Sequence, residues 1–588
     1  IVSKNKKTWA SNSPKLFAGL WCFPKKKSNK LHILYDGKLD INHANIDEEW
    51  KKIFEYKNKL FPLICSVLND YKNEKNSERY YRIIIGHWFD YAVEILFHKI
   101  SLAITLKEIY DYKSFSCIYS ENYNIAPYSE SEFMDAHFDD RWNQALFGAI
   151  LERLNFSDLK IKKFIDNEVS TFAIAKKDSN LFRKSLSIIN NIFNRFSSNN
   201  DALIINSYLP FFEEFKLKLY LKQTPIITRR SSFNKEFNYD TDVRNQLTNK
   251  LLSNIDEKDT IFYCISQMIF LIFPIIFLEG FTDIKMFVDK LNWPKNPKFI
   301  FTSNNFFADN VFKLWTAQKI NKKIKFFAGQ HGPYWLQINS VNNKVYSSCE
   351  EITADKLVSN GVNNLNNKIS GIYFPIPKPK KLSYDKTGNI SLIVPPLAYF
   401  GYKKSWSRVY WDNFIEYEAW TNKITELFES LDSKIQKKFH LRLYTHISQH
   451  NFINKIWQKK IGNRNIYSDN HSIKKIYKKS KIVIICFESR SLQETMIQNV
   501  PSLVLFDDFM IKQMRQENLE SFNILKKAGI LFSDFYKISD FLNKNSDVIE
   551  VWWNTPDIQN ARHEFLEKYS RTTRSPAKYL SKLIQENL

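Results

Sequence analysis

From about residue 296 onward, short apolar runs alternate with longer amphipathic segments. Residues 298–303, 325–329, 391–394, 441–444, 482–485 and 502–506 read as strands, and 309–320 as the helix after the first of them. Buried strands separated by helical segments predict parallel sheets covered on both faces, an α/β fold. Upstream the texture is helical. Residues 78–107 and 131–154 space their apolar side chains by three and four, with Ser131 placed to cap the second. A short apolar run at 16–21, between Pro14 and Pro24, reads as a buried strand. Residues 156–205 read as polar and helical, and the tail from 546, with Trp552-Trp553, as helical again.

Pro375, Pro377 and Pro379, interleaved with Lys378, Lys380 and Lys381, mark a linker at 373–387. The expected division is therefore an N-terminal unit over 1–372, a C-terminal unit over 388–545 and terminal helices over 546–588. Residues 261–278 are almost wholly apolar, close to the length of a membrane span. Ser266, Gln267 and Pro274 interrupt them, so the segment reads as a buried helix, broken near Pro274, that covers a sheet.

Composition narrows the partners. The 588 residues carry 85 Lys and Arg against 62 acids, a net charge of +23, which suits a polyanion, an anionic membrane surface or a phosphate-bearing substrate. A hydrophobic share of 44% excludes disorder as the main state. The six cysteines form no CxxC pair, which speaks against a zinc ribbon or a disulfide framework and suits a reducing compartment. Residues 1–31 hold eight Lys and no acid, but they lack the apolar core of a secretory signal. P-loop, GxGxxG and HExxH motifs are absent, as are nucleic-acid-binding modules.

Three constellations carry candidate chemistry. Gly329-Gln330-His331-Gly332 follows a strand, where open parallel sheets place their ligands; Gln330 and His331 offer groups for a phosphate or carboxylate. Glu350, Glu351 and Asp355 follow, carboxylates available as base or nucleophile. The alternative is a tight turn with a solvated acidic patch. After the 482–485 strand, Ser489, Ser491 and Glu494 open a helix whose free N–H groups suit a phosphate, with Glu494 placed for ribose hydroxyls. The alternative there is a capping box of Ser491 and Glu494. The third, at 441–446, ends a strand with His446; the alternative there is a structural hydrogen-bonding histidine. Asp139 and Asp140 are adjacent on a helix and read as solvated.

In this order the constellations resemble a family of transferases from bacterial surface-carbohydrate loci, related to β-Kdo (3-deoxy-manno-octulosonic acid) glycosyltransferases. The resemblance runs from the 16–21 run through Ser77-Glu78-Arg79-Tyr80-Tyr81-Arg82, Gly86-His87-Trp88, Asp140-Arg141-Trp142-Asn143, Leu278-Glu279-Gly280 and Thr302-Ser303-Asn304. It continues through Gln330-His331-Gly332, Leu441-Arg442-Leu443-Tyr444, Glu494-Thr495 and Asn499-Val500-Pro501-Ser502 to Trp552-Trp553. It implies a GT-B architecture: two Rossmann-like domains facing across a cleft, with extra N-terminal helices. A CMP-activated sugar, CMP-β-Kdo first, is then the donor substrate, with no other cofactor and no obligatory metal. The acceptor is a glycan or lipid-linked glycan of capsule or O-antigen assembly. On this reading Glu351, Asp355 and His331 are the catalytic candidates, Glu351 ahead of Asp355. Gln330, Arg442, His446, Ser489, Ser491 and Glu494 hold the donor. The expected location is cytoplasmic, in peripheral contact with anionic lipid on the inner face of the membrane, with no nucleic acid bound. Two alternatives stay open: another CMP- or CDP-activated donor (a sialic-type sugar or a polyol phosphate), and a basic non-catalytic nucleic-acid or scaffold protein.

Overall fold

The computed structural model describes residues 46–109, 115–120, 123–136, 139–157, 159–165, 197–226, 231–256, 258–333, 340–341, 344–345, 349–362, 368–395, 414–443, 450–468, 471–512, 514 and 516–588. The strand expected at 16–21 lies outside them.

Two five-stranded parallel sheets organise these residues. The first takes its strands in chain order: β3 (Leu203–Ile204), β4 (Phe299–Thr302), β5 (Lys325–Gly329), β8 (Lys356–Val358) and β9 (Lys368–Ile369). The second runs β11 (Phe439–Arg442), β10 (Asn389–Ile393), β12 (Ser480–Ile485), β13 (Ser502–Leu505) and β14 (Leu531–Phe532), so its order reverses at β10. Every pairing in both sheets is parallel. Strands covered on both faces need apolar side chains at successive positions, as β4, β12 and β13 have; each is buried along its whole length. Smaller pairs lie outside these sheets: β1 (Phe115–Ser120) beside β2 (Leu159–Phe164), and β6 (Ser340–Val341) beside β7 (Lys344–Val345).

The helices Ile46–Lys72 and Glu78–Ile109 carry a large core around Trp50, Trp88 and Trp142, which joins the first sheet through Phe326 and Ala328. Gly86 lets the second helix settle on the short helix Cys349–Thr353. A Cβ at Gly86 would lie 2.6 Å from the Cys349 sulfur.

Several expectations need correction. The 131–154 segment is two helices, Glu130–Ala136 and Asp140–Leu154, and the cap of the second is Asp139 rather than Ser131 heading one long helix. Asp139 accepts from the Arg141 and Trp142 amides, while Asp140 is buried, so this pair is not a solvated patch. Within 156–205 the described residues include strand β2, because its alternating exposure suits a half-covered edge. The apolar 261–278 stretch is core, as its sequence predicts. Its helix Thr260–Met268 stops well before Pro274, however, and packs mainly on three neighbouring helices within the core that also takes in Ile300, Phe326 and Ala328 of the first sheet. Among the described residues no helix is long and apolar enough to cross a membrane.

The chain ends by crossing back. Helix Pro556–Tyr569 packs on the second sheet's side, where Phe565 and Tyr569 meet Phe522. Helix Pro576–Gln585 then buries Leu580 and Ile584 among Phe299, Phe301 and Phe327 of the first sheet. The crossing is tied by backbone bonds: Val362 N–H to Glu567 O (2.9 Å), Arg571 N–H to Asn360 O (2.8 Å) and Tyr373 N–H to Arg571 O (2.8 Å). Gly361 makes this approach possible, since a Cβ there would sit 2.3 Å from the Lys568 carbonyl oxygen.

Candidate active site

In a parallel sheet, loops leave the carboxyl ends of the strands, and a ligand crevice opens where the strand order reverses. In the second sheet that point is between β10 and β12. The loop after β12 leads through Ser489 into helix Arg490–Gln498. The Ser489 hydroxyl accepts from the Ser491 amide, and the left-handed Asn499 (φ 54°) closes the helix before Pro501. Gln493 donates to Tyr569 O (2.6 Å) and Arg562 to Met496 O (2.7 Å), so the terminal helices hold this helix in place. Ser489, not Ser491, is the cap, so the capping-box pairing of Ser491 with Glu494 does not form. Glu494 instead accepts from the Tyr477 hydroxyl at 3.2 Å.

In the first sheet, β5 ends at Gly329 and delivers Gln330 and His331. Gly329 is pressed against Ser303 of the β4 loop; a Cβ there would lie 2.2 Å from the Ser303 hydroxyl oxygen. Gln330 donates to Gly332 O (2.6 Å) and accepts from the Asn360 amide (2.9 Å), shaping the loop and joining it to the end of β8. His331 is half-buried, with Nδ1 3.0 Å from the Tyr208 hydroxyl. Tyr208 adopts φ +64°, an uncommon backbone for an aromatic residue, of the kind that concentrates at functional sites.

These two edges meet. The His331 pKa is lowered to about 4, first by burial and then by the Arg490 guanidinium, with the Ser303 carbonyl opposing. Arg490, the first residue of its helix, therefore lies close to a loop of the other sheet. Tyr373, buried just beyond β9, brings its hydroxyl near Glu494, whose charge raises the phenol's pKa after burial itself. Burial pushes the Glu494 carboxyl upward, against Arg490 and the Tyr477 and Tyr373 hydroxyls. These elements gather a helix N-terminus, one arginine, two phenols and an imidazole around the Glu494 carboxyl, groups whose N–H and O–H donors suit an anion.

The other expected residues are less closely joined. Arg442 ends β11 beside Ile393 at the reversal point, and its guanidinium donates to Leu443 O. His446 lies outside the described residues. Glu351 is buried and its carboxylate pairs with Lys368 at 2.7 Å. Asp355, a catalytic candidate on the sequence, lies away from this cleft. It accepts from the Phe326 amide (2.8 Å) and pairs with Arg79 (3.0 Å) at the amino end of β5. From Phe326 to Gly329, where β5 ends, is roughly 10 Å of strand at about 3.3 Å per residue, so Asp355 sits at the opposite end of β5 from His331.

Arg490, Tyr373 and Tyr208 are missing from the sequence-based set. Arg490 did carry a signal: a cation in the first helical turn opposes the helix dipole, which suggests an anion to offset it. Tyr208 and Tyr373 give no local sign. His87 belongs nearby, stacked on Phe306 (5.7 Å) with Nε2 3.7 Å from Glu350. Burial first, then the Lys313, His331 and Arg82 charges, hold its pKa well below 6.5.

Two parallel α/β sheets that face each other by their carboxyl edges, with the last helix returning to the first, are the architecture of a GT-B transferase. The sequence is more specific: the chain belongs to the LIC12162 family of transferases, whose model matches residues 1–584. A search of curated proteins finds no match. Solved structures that align include MurG of Acinetobacter baumannii (10% identity, 66% of this chain and 99% of that chain, TM-score 0.31). Others are the wall teichoic acid polymerase TagF (10%, 70% and 98%, 0.31) and a mutant Thermobaculum terrenum O-GlcNAc transferase (9%, 85% and 82%, 0.32). Likenesses this distant carry no argument about the chemistry of this chain.

Proposed function

We propose that this transferase moves a sugar from a CMP-activated acidic donor, CMP-β-Kdo first, onto a surface-glycan acceptor. The observation that carries the reading is the helix Arg490–Gln498, capped by Ser489, which opens just past β12 beside the point where the strand order reverses. A donor with a phosphate and a carboxylate needs fixed positive charge and N–H groups, and a strongly basic chain concentrates it. On this reading the phosphate lies at the start of the Arg490 helix with Ser489 and Ser491. Glu494 takes the ribose hydroxyls, and Arg442 stands at the neighbouring strand end. Arg490 and the helix N-terminus offset the phosphate charge, so no obligatory metal is invoked.

His331 faces the sugar from the other sheet. Its imidazole is neutral at pH 7, and a donor phosphate that offsets Arg490 would make it a better proton acceptor for the acceptor hydroxyl. The test is a donor panel of CMP-β-Kdo, a CMP-sialic-type sugar, a CDP-polyol and UDP-sugars, read by nucleotide release with a glycan acceptor. Preferential CMP release from CMP-β-Kdo supports the reading. Turnover of only another donor reassigns the sugar, and steep salt-dependent nucleic-acid binding without any turnover defeats the enzymatic reading.

A further inference from the structure

Helix Phe211–Tyr220 begins three residues after Tyr208, the partner of His331, and so starts at the lip of the cleft. One of its faces is core: Leu217 and the following Leu221 pack with Phe299, Phe301 and Leu580. The opposite face is apolar but uncovered. Phe211 is 47% exposed, Phe212 72%, Leu219 52% and Tyr220 49%. Phe212, the half-buried Phe215 and Leu219 recur at helical spacing, so they form one outward stripe.

Basic residues border this stripe. Lys216 and Lys222 are exposed, and a 2.7 Å pair between Lys378 and Glu213 brings in a basic run that continues through the exposed Lys380 and Lys381. Two exposed aromatic rings beside lysines on a single helix match the chemistry of an interfacial helix. The rings enter the acyl boundary while lysine stems extend their ammonium groups to anionic headgroups.

We infer that this face is where the protein docks on an anionic lipid bilayer, with the cleft opening at the membrane plane. A protein partner would also cover an apolar face. The lysine border on a chain of net charge +23 favours an anionic lipid surface. The inference rests on the glycosyl-transfer reading only in making the acceptor lipid-linked; the docking itself needs no turnover.

The experiment is co-sedimentation of the full chain with vesicles of phosphatidylcholine alone, or with about one third phosphatidylglycerol. The wild type should bind the anionic vesicles, less at high salt. Phe211→Ser/Phe212→Ser should lower the partition coefficient by about tenfold or more, with unfolding temperature and CMP affinity unchanged. Lys380→Glu/Lys381→Glu should weaken binding to anionic vesicles specifically. Equal binding by the Phe variant, or no wild-type preference for anionic vesicles, overturns the inference. So does a wild-type dimer in light scattering that the Phe variant converts to monomer, which makes the face a contact between two copies. Since no arm uses a sugar donor, these outcomes stand apart from failure of the glycosyl-transfer reading.

Discussion

His331 and Arg490 leave the carboxyl edges of different sheets, yet the arginine's charge helps hold the imidazole's pKa near 4. Linkage gives this pair a pH signature. The folded-state pKa is lowered from 6.5, so in the interval between them the unfolded chain binds a proton that the folded chain does not. Stability from this group is therefore full above pH 6.5 and is lost as pH falls towards 4. Thermal unfolding across that interval should show the decline, and His331→Gln should flatten it. Saturating CMP should also shrink the decline, because phosphate beside Arg490 raises the imidazole's pKa. Calorimetry in buffers of different ionisation enthalpy should then report proton uptake on binding.

Glu494 and Arg490 test the nucleotide side. Glu494→Ala or Arg490→Ala should weaken CMP by about 1.5–3 kcal/mol, the scale of hydrogen bonds to charged groups. Titration calorimetry on folded variants measures it. Unchanged affinity in both would return this helix end to a purely structural role.

Much of the architecture was legible beforehand because its signals are local. β5 needs only the run Lys325–Gly329, and Asp309 is followed by a helix that it does cap. The short strands β8, β9 and β14 were not, since two or three apolar residues fit a loop as well as a strand. The break after Ala136 depends on Asp139 capping two amides, a choice that periodicity alone does not make. The candidate site was half legible. Ser489, Glu494, Gln330 and His331 follow strands and are found by that rule. Tyr208 and Tyr373 act over long sequence separations, so nothing in their neighbours announces them.

Glu351 separates a structural acid from a catalytic one. Its buried pair with Lys368 gives it a structural task. Glu351→Gln should cost about 3 kcal/mol of stability by leaving the lysine charge uncompensated, with turnover per folded molecule retained. A fall of ~10²–10⁴ in turnover at normal stability and normal CMP affinity would instead make it the general base or nucleophile.

Gly361 tests the crossing of the two halves. Its Cβ would lie 2.3 Å from a backbone carbonyl oxygen, where no side chain can move aside. Gly361→Ala should destabilise by about 1–3 kcal/mol through overpacking, seen as a lowered unfolding midpoint. A neutral effect would contradict the close approach of Gly361 to the Lys568 carbonyl.

The most direct measurement is a crystal structure of the full chain with CMP bound. The expected arrangement has the phosphate within hydrogen-bond distance of the Arg490 helix's first amides and of the Arg490 guanidinium, the ribose on Glu494, and His331 facing the phosphate's open side. CMP bound away from this cleft, or held there with its phosphate remote from Arg490, would contradict it.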